Sequence, residues 1–188
     1  MKLLLAAILI LALILIGVCI YNTYKIQHGH KLARTVGRIL ISGFLIVLFN
    51  LVTLLTRYEI VCFCAYGAYF IASIWMLYYF LRFSIEYIGN EFEKYVKRKA
   101  MLLLLLSDSV LIAGNVVYPY MYDIRHVELF GGESFYELET TPIFYIHYAI
   151  VLMLVLFCLL SLFYRTFKAP AFYRRKYSVI CAAFRTYR

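Results

Sequence analysis

The chain has 188 residues, of which 65% are hydrophobic and 15% are charged, and its formal net charge is +9. Charged residues supply about 25% of an ordinary soluble domain, so the composition excludes a soluble globular protein. The basic residues fall in short clusters between apolar runs and form no continuous face or arm, which excludes nucleic acid as the partner. The sequence therefore predicts an integral membrane protein surrounded by the lipid bilayer.

Five apolar runs approach the length of about 20 residues that a transmembrane helix needs. Each run is continuously apolar, whereas a membrane-crossing strand would alternate polar and apolar residues, so helices are expected. The first run follows Lys2 as a secretory signal would, but it exceeds the usual apolar length of about 7–15 residues and no small-residue cleavage site follows it. We predict an all-α, polytopic transmembrane helical bundle that forms a single domain over residues 1–188, with about five spans at 3–21, 39–55, 60–81, 100–118 and 144–164.

The distribution of lysine and arginine predicts how the bundle is oriented. Sixteen of the 19 basic residues follow the first span, the third span or the fifth span, and the other three are Lys2, Arg57 and Arg125. Cytoplasmic loops carry the excess of Lys and Arg, so we expect the N-terminus outside the cell and the basic tail 165–188 in the cytoplasm, with the chain in the plasma membrane. The basic residues that set this topology are Lys97, Arg98, Lys99, Arg174, Arg175 and Lys176.

The predicted outer loop, residues 119–142, has a different character from the other connections. It contains one basic residue, Arg125, and the pair Gly131 and Gly132 marks a turn. Acidic and aromatic groups in such a loop could receive a cationic or aromatic ligand, or they could form a solvated loop beside an interfacial aromatic belt. The acidic residues of the loop are Asp123, Glu128, Glu133, Glu137 and Glu139.

Asp108 is the clearest ionisable residue inside a predicted span. Such a residue costs about 2.5–3.5 kcal/mol on insertion scales unless a partner offsets it. It lies nine residues past Lys99, or roughly 13 Å into a core of about 30 Å, and Asn115 shares its helix face. Asn50 and Ser73 reach comparable depths in their own spans, so we predict a buried polar cluster with Asp108. The cluster would be a ligand site or a two-state hinge, or else interhelical bonding worth about 0.6 kcal/mol per hydrogen bond.

The remaining polar residues give weaker signals. His147, near the start of the fifth span, is a candidate sensor because histidine changes charge near neutral pH. His28 and His30 in a basic loop make a poor metal site, and the five cysteines lack metal-ligand spacing, so no metal is predicted. We find no nucleotide-binding or catalytic motif, and predict neither a cofactor nor an enzymatic activity in this chain.

Four segments carry a resemblance to a known family. They are WMLYYFLRFSIEYIG (75–89), SDSVLIAGNVVYP (107–119), TPIFYIHYAIVLML (141–154) and KAPAFYRRKYSVI (168–180). Together they resemble the N-terminal seven-helix input region of bacterial histidine kinases and of diguanylate cyclases with a GGDEF output domain. The resemblance implies a membrane-embedded sensory module for an unidentified small ligand, with Asp108, Asn115 and the loop acids as candidate positions.

In that family, spans six and seven and a signalling domain follow the basic turn at 168–180. Because this chain stops at Arg188, we expect it to be a fragment or a truncated product that lacks those parts. The resemblance leaves a homodimer open as an assembly.

Two other classes of protein stay open at this point. One is a small transporter or channel subunit in which Asp108 relays an ion or proton, since intramembrane acids often do so. Against it, the sequence has no inverted halves and no paired spans broken by Gly or Pro. The other is a non-catalytic membrane scaffold, which needs no site.

Overall fold

A computed structural model describes residues 2–26, 31–88, 98–128 and 134–168 of the chain. Within these residues it contains helices α1 (Lys2–Ile26), α2 (Lys31–Leu55), α3 (Glu59–Ile88), α4 (Arg98–Gly114) and α5 (Phe144–Lys168), and strands β1 (Tyr122–Glu128) and β2 (Ser134–Thr140).

The second and third helices extend beyond the apolar runs that predicted them. α2 begins at Lys31 rather than at residue 39, and α3 continues to Ile88 rather than ending at residue 81. Polar contacts hold these extensions together: the hydroxyl of Thr35 donates a hydrogen bond to Glu86 at 2.6 Å, and Arg82 pairs with the same carboxylate at 3.1 Å. Hydropathy locates only the apolar part of a helix, so these polar turns were not predicted.

α4 is shorter than the span predicted for it. Its 17 residues reach about 25 Å along the axis, and it ends at Gly114 rather than at residue 118. It ends early because the next residue, Asn115, turns its side chain to the backbone of the following loop. In the part of the chain that the structure describes, the other four helices are long and apolar enough to cross a membrane. The count of five spans and the orientation therefore stay predictions.

The strict all-α prediction is wrong for the predicted outer loop, which folds as an antiparallel hairpin. β1 pairs with β2 in a register that runs from Tyr122 opposite Thr140 to Glu128 opposite Ser134. The cause is a period of two at the start of β1: Tyr122 and Ile124 are buried, whereas Asp123 and Arg125, which follow them in turn, are exposed. The predicted turn at Gly131 and Gly132 lies outside the described residues.

α3 lies at the centre of the fold and contacts α2, α4, α5 and β1. Two apolar clusters form around it among the described residues. The first, called the lower cluster, joins α3, α4 and α5 through side chains such as Tyr78, Leu105 and Leu154. The second, called the upper cluster, lies at the hairpin end and joins the same helices to the hairpin through Phe70, Ile112, Met121, Tyr122 and Phe144.

Candidate sensory site

A buried polar contact between an acid and a histidine lies between the two apolar clusters. Asp108 on α4 and His147 on α5 are 0% and 2% exposed, and the Nδ1 atom of the imidazole lies 2.9 Å from Oδ2 of the carboxylate. Phe70 and Phe144 pack against the imidazole with ring centroids 5.6 and 5.2 Å away. The pair therefore joins two helices in a place walled by aromatic rings.

Local helix geometry explains why Asp108 lies inside the bundle. The buried residues of α4 and its end recur at spacings of four and three, which keeps them on one stripe. They are Met101, Leu105, Asp108, Ile112 and Asn115. Two polar residues thus occupy positions of a stripe that is otherwise apolar.

The second carboxylate oxygen of Asp108 has capacity for another partner. Oδ1 is buried and accepts no hydrogen bond from any residue that the structure describes. A buried acceptor without a donor costs about 1–3 kcal/mol. The site can therefore accept one further donor, whether a water molecule or a group from a ligand.

Asn115 fixes the hairpin to the same face of α4. Its Oδ1 accepts hydrogen bonds from the backbone N–H groups of Tyr120 at 2.8 Å and Met121 at 2.6 Å, and its Nδ2 donates to the carbonyl of Tyr122 at 2.8 Å. Asn115 is fully buried, so these backbone groups have little access to another partner. The asparagine predicted from sequence is thus the anchor of the hairpin.

Tyr122 inserts its ring into the upper cluster. The ring lies 5.0 Å from that of Phe63 and 5.4 Å from that of Phe70, and burial raises the pKa of the phenol to about 12. A Cβ on Gly67 would lie only 2.7 Å from the Tyr122 hydroxyl oxygen. Gly67 thus permits the close approach of the hairpin to α3.

The predicted cluster of Asp108, Asn50 and Ser73 is wrong, and His147 is the described partner of the acid. Ser73 donates to the carbonyl of Tyr69 in its own helix at 2.8 Å, and Asn50 is exposed. The sequence does not specify the rotation of each helix about its axis, which decides whether these side chains meet.

The acids of the predicted outer loop are spread over the hairpin. Glu137 and Glu139 are exposed on β2, and Glu139 lies 3.6 Å from the exposed Arg125. Asp123 accepts a hydrogen bond from the N–H of Ile124. The Glu128 side chain and Glu133 lie outside the described atoms.

A pocket of about 750 Å³ at the hairpin end was not predicted from sequence. Its wall brings the carboxylates of Asp123 and Glu59 together with the aromatic rings of Tyr58 and Phe63. The signal that could have found it is Glu59, an acid at the first turn of an apolar helix.

Most of the basic residues predicted to set the topology lie outside the part of the chain that the structure describes. Lys99 is exposed in the first turn of α4. The side chain of Arg98 and the residues Lys97, Arg174, Arg175 and Lys176 lie outside what the structure describes, as do His28 and His30. Among the described residues, no group of three potential ligands could hold a metal ion.

The fold and the buried pair define a multi-pass helical membrane protein with a polar contact in its core. The family model for the N-terminal 7TM region of histidine kinase matches residues 5–185, and the chain belongs to this family. No curated protein and no solved structure matches the chain. The match confirms the resemblance to histidine-kinase input regions, whereas the association with GGDEF domains stays a prediction.

Membership in this family defines the chain at a coarse level. It is a transmembrane region that acts as a sensory input module in signal transduction, and the matched region is an input region rather than a catalytic one.

Proposed function

We propose that this module converts an event at the hairpin end of the bundle into a shift of α5 relative to α4. A cytoplasmic output domain would read the shift, and the chain would act in the plasma membrane. The observation that carries the proposal is the buried contact between Asp108 and His147.

A continuous series of contacts supports this direction of coupling. The hairpin is held by Asn115, which directly follows α4. Seven residues earlier on the same stripe, Asp108 contacts His147 of α5. A displacement of the hairpin would therefore act on the helix that carries the acid.

The buried pair favours two discrete arrangements over a continuous range. With the pair formed, both polar groups have a partner; with the pair broken, each would need another partner in an apolar environment. A ligand shifts such an equilibrium only by its difference in affinity for the two arrangements. The free Oδ1 of Asp108 provides a place where that difference can arise, since a donor there competes with or reinforces the imidazole.

The chemistry of the hairpin-end pocket supports a cationic or aromatic small ligand. Glu59 and Asp123 supply two carboxylates, and Tyr58 and Phe63 supply aromatic faces that attract cations. A homodimer is an assembly in which paired copies of α5 would carry the shift to the output domains.

Cys158 gives a direct test of helix position. Its buried sulfur lies between α5 and α3, 3.8 Å from the carbonyl oxygen of Leu77. In a chain that keeps Cys158 as its only cysteine, we expect Asp108→Asn to change the rate of alkylation by a membrane-permeant thiol reagent severalfold. Ser107→Ala, at the exposed neighbouring position, is the control and should leave the rate unchanged. Equal alkylation rates in the chain with Cys158 alone, in its Asp108→Asn variant and in its Ser107→Ala variant would refute the proposed coupling.

The unpartnered oxygen of Asp108 also favours one second candidate, a proton carrier. Vesicles with the reconstituted chain and an internal pH-sensitive dye distinguish the two functions. A proton carrier would show a flux that Asp108→Asn abolishes, whereas the sensory module would show none.

A further inference from the structure

We propose that the groove between α2 and α3 binds an anionic lipid, with its headgroup at Arg38 and its acyl chain along the groove. This inference is independent of the sensory proposal, because none of the groove residues belongs to the buried pair or to the hairpin. The groove has a volume of about 510 Å³, within the range of about 300–1,000 Å³ typical of ligand pockets.

The groove is charged at one end and apolar along the rest of its length. Arg38 is the charged residue among those that line it, and the walls beyond it are formed by side chains such as Ile41, Leu45, Phe49 and Ile71. This gradient matches a molecule with one anionic end and a long apolar part. A lipid is such a molecule.

Arg38 lines the groove and is exposed, so its guanidinium is available to an anion. It lies 5.7 Å from the ring centroid of Tyr79, which also lines the groove. The structure pairs Arg38 with no carboxylate among the residues it describes. The nearby carboxylate of Glu86 is already engaged by Thr35 and Arg82.

Two further cations strengthen the potential at this end of α2. Lys31 and Arg34 are exposed and lie on the same side of the helix as Arg38, at intervals of three and four residues. Basic residues near a membrane surface attract anionic lipids, so Lys31 and Arg34 add a general attraction at this end, whereas Arg38 is the one of the three that lines the groove.

The length of the groove matches the hydrocarbon thickness of one leaflet of the bilayer. Arg38 and Phe49 are eleven positions apart on α2, or about 16 Å along the axis. Half of a hydrocarbon core of about 30 Å is about 15 Å. An acyl chain whose headgroup contacts Arg38 would therefore extend to the level of Phe49.

Trp75 makes the groove directly observable. It is the only tryptophan in the sequence, it lines the groove, and its indole N–H donates to the hydroxyl of Ser109 at 3.2 Å. Bromine atoms on an acyl chain quench tryptophan fluorescence on contact. The full chain would be reconstituted in phosphatidylcholine vesicles that contain a minor fraction of brominated phosphatidylglycerol or, separately, brominated phosphatidylcholine.

We expect brominated phosphatidylglycerol to bind beside Trp75 about fivefold more strongly than the brominated zwitterionic lipid at equal mole fraction. Arg38→Gln should remove this preference, while Arg34→Gln, which changes an exposed cation outside the groove, should keep most of it. Ala68→Phe, which fills the groove from its wall, should lower quenching by both lipids.

Three results would overturn the proposal. Equal quenching by the two lipids in the unaltered chain would mean that the groove does not select a headgroup. An equal loss in Arg34→Gln and Arg38→Gln would indicate general attraction to a basic surface. The absence of quenching by either lipid would mean that protein, such as a second copy of the chain, covers the groove.

Discussion

Among single residues, Asp108 and His147 affect stability less through the strength of their hydrogen bond than through the cost of leaving one of them buried without its partner. A hydrogen bond between transmembrane helices contributes about 0.6 kcal/mol on average. A buried charge left without its partner costs about 3–5 kcal/mol. Because Asp108 is fully buried and His147 is its described partner, the second quantity decides what a substitution does.

Replacing His147 alone should therefore lower the stability of the bundle more than replacing both members of the pair. We expect His147→Leu to destabilise the bundle by about 3–5 kcal/mol, because the carboxylate of Asp108 is left buried without a partner. Adding Asp108→Asn should restore a large part of the lost stability, since a neutral amide is easier to bury. The measurement is the SDS fraction at the midpoint of unfolding from mixed micelles. If the double variant is as unstable as the single one, an unpaired charge is not the cause.

Asn115 supports a second prediction at this scale. Asn115→Leu leaves two backbone N–H groups and one carbonyl without their described partner, at about 1–3 kcal/mol for each unsatisfied group. Hydrogen exchange at Tyr120 and Met121 should accelerate strongly. Asn115→Asp should have an intermediate effect, because its side chain still accepts both N–H bonds.

The exposed Asn50 provides the control for that experiment. Asn50→Leu makes the same change of side chain outside the hairpin anchor, so exchange at Tyr120 and Met121 should be unaffected. Comparable acceleration in both variants would mean that Asn115 does not hold the hairpin.

Individual residues were predictable from sequence to the extent that their chemistry stood out from their surroundings. Asp108 is an acid in an apolar run, and His147 is a histidine near the start of another apolar run, so each was found separately. That they meet depends on which helices are neighbours and on how each is rotated, which no single run of sequence specifies. The same missing information led to the wrong inclusion of Asn50 and Ser73.

At the scale of elements, the hairpin illustrates how two signals in one segment can compete. The acidic, tyrosine-rich composition of residues 119–142 favoured a loop at the membrane surface. The alternation of apolar and polar residues over the first four positions of β1, Tyr122 to Arg125, favoured a strand, and the segment folds as one. The helices were easier to predict because about 20 apolar residues in a membrane have few alternatives to an α-helix.

Docking of the hairpin on α3 depends on the absence of a side chain at Gly67. In Gly67→Ala the new Cβ would lie 2.7 Å from the hydroxyl oxygen of Tyr122, whose ring is held among Phe63, Phe70 and Phe144. Such overpacking typically costs about 1–3 kcal/mol. We expect faster hydrogen exchange in β1, measured in lipid nanodiscs.

Two matched variants test this explanation. Gly67→Ala combined with Tyr122→Phe removes the clashing oxygen, so exchange should return toward that of the unaltered chain. Gly17→Ala is the control, because a Cβ there meets no atom within 4 Å. If Tyr122→Phe gives no rescue, the contact between the hydroxyl and Gly67 does not control docking.

At the scale of the whole molecule, the bundle has two chemically different ends. The hairpin lies at the end where α2 meets α3, because Tyr136 donates its hydroxyl proton to the carbonyl of Arg57 at 2.9 Å. The opposite end carries Lys25, Lys31, Arg34 and other cations. Large apolar side chains of α1 are exposed along its length, which suits a helix that faces lipid.

This asymmetry gives a prediction of orientation that labelling can test. The excess of Lys and Arg should keep its end of the bundle in the cytoplasm, which leaves the hairpin outside the cell. In a chain without native cysteines, Glu137→Cys places a thiol on the exposed side of β2, and Asn22→Cys places one near the end of α1. A membrane-impermeant maleimide should label Glu137→Cys in intact cells and Asn22→Cys only after permeabilisation. Neither site lies in a basic cluster, so the substitutions leave the topology signals unchanged. The reverse pattern would place the hairpin in the cytoplasm and exclude it as a receiver of external ligands.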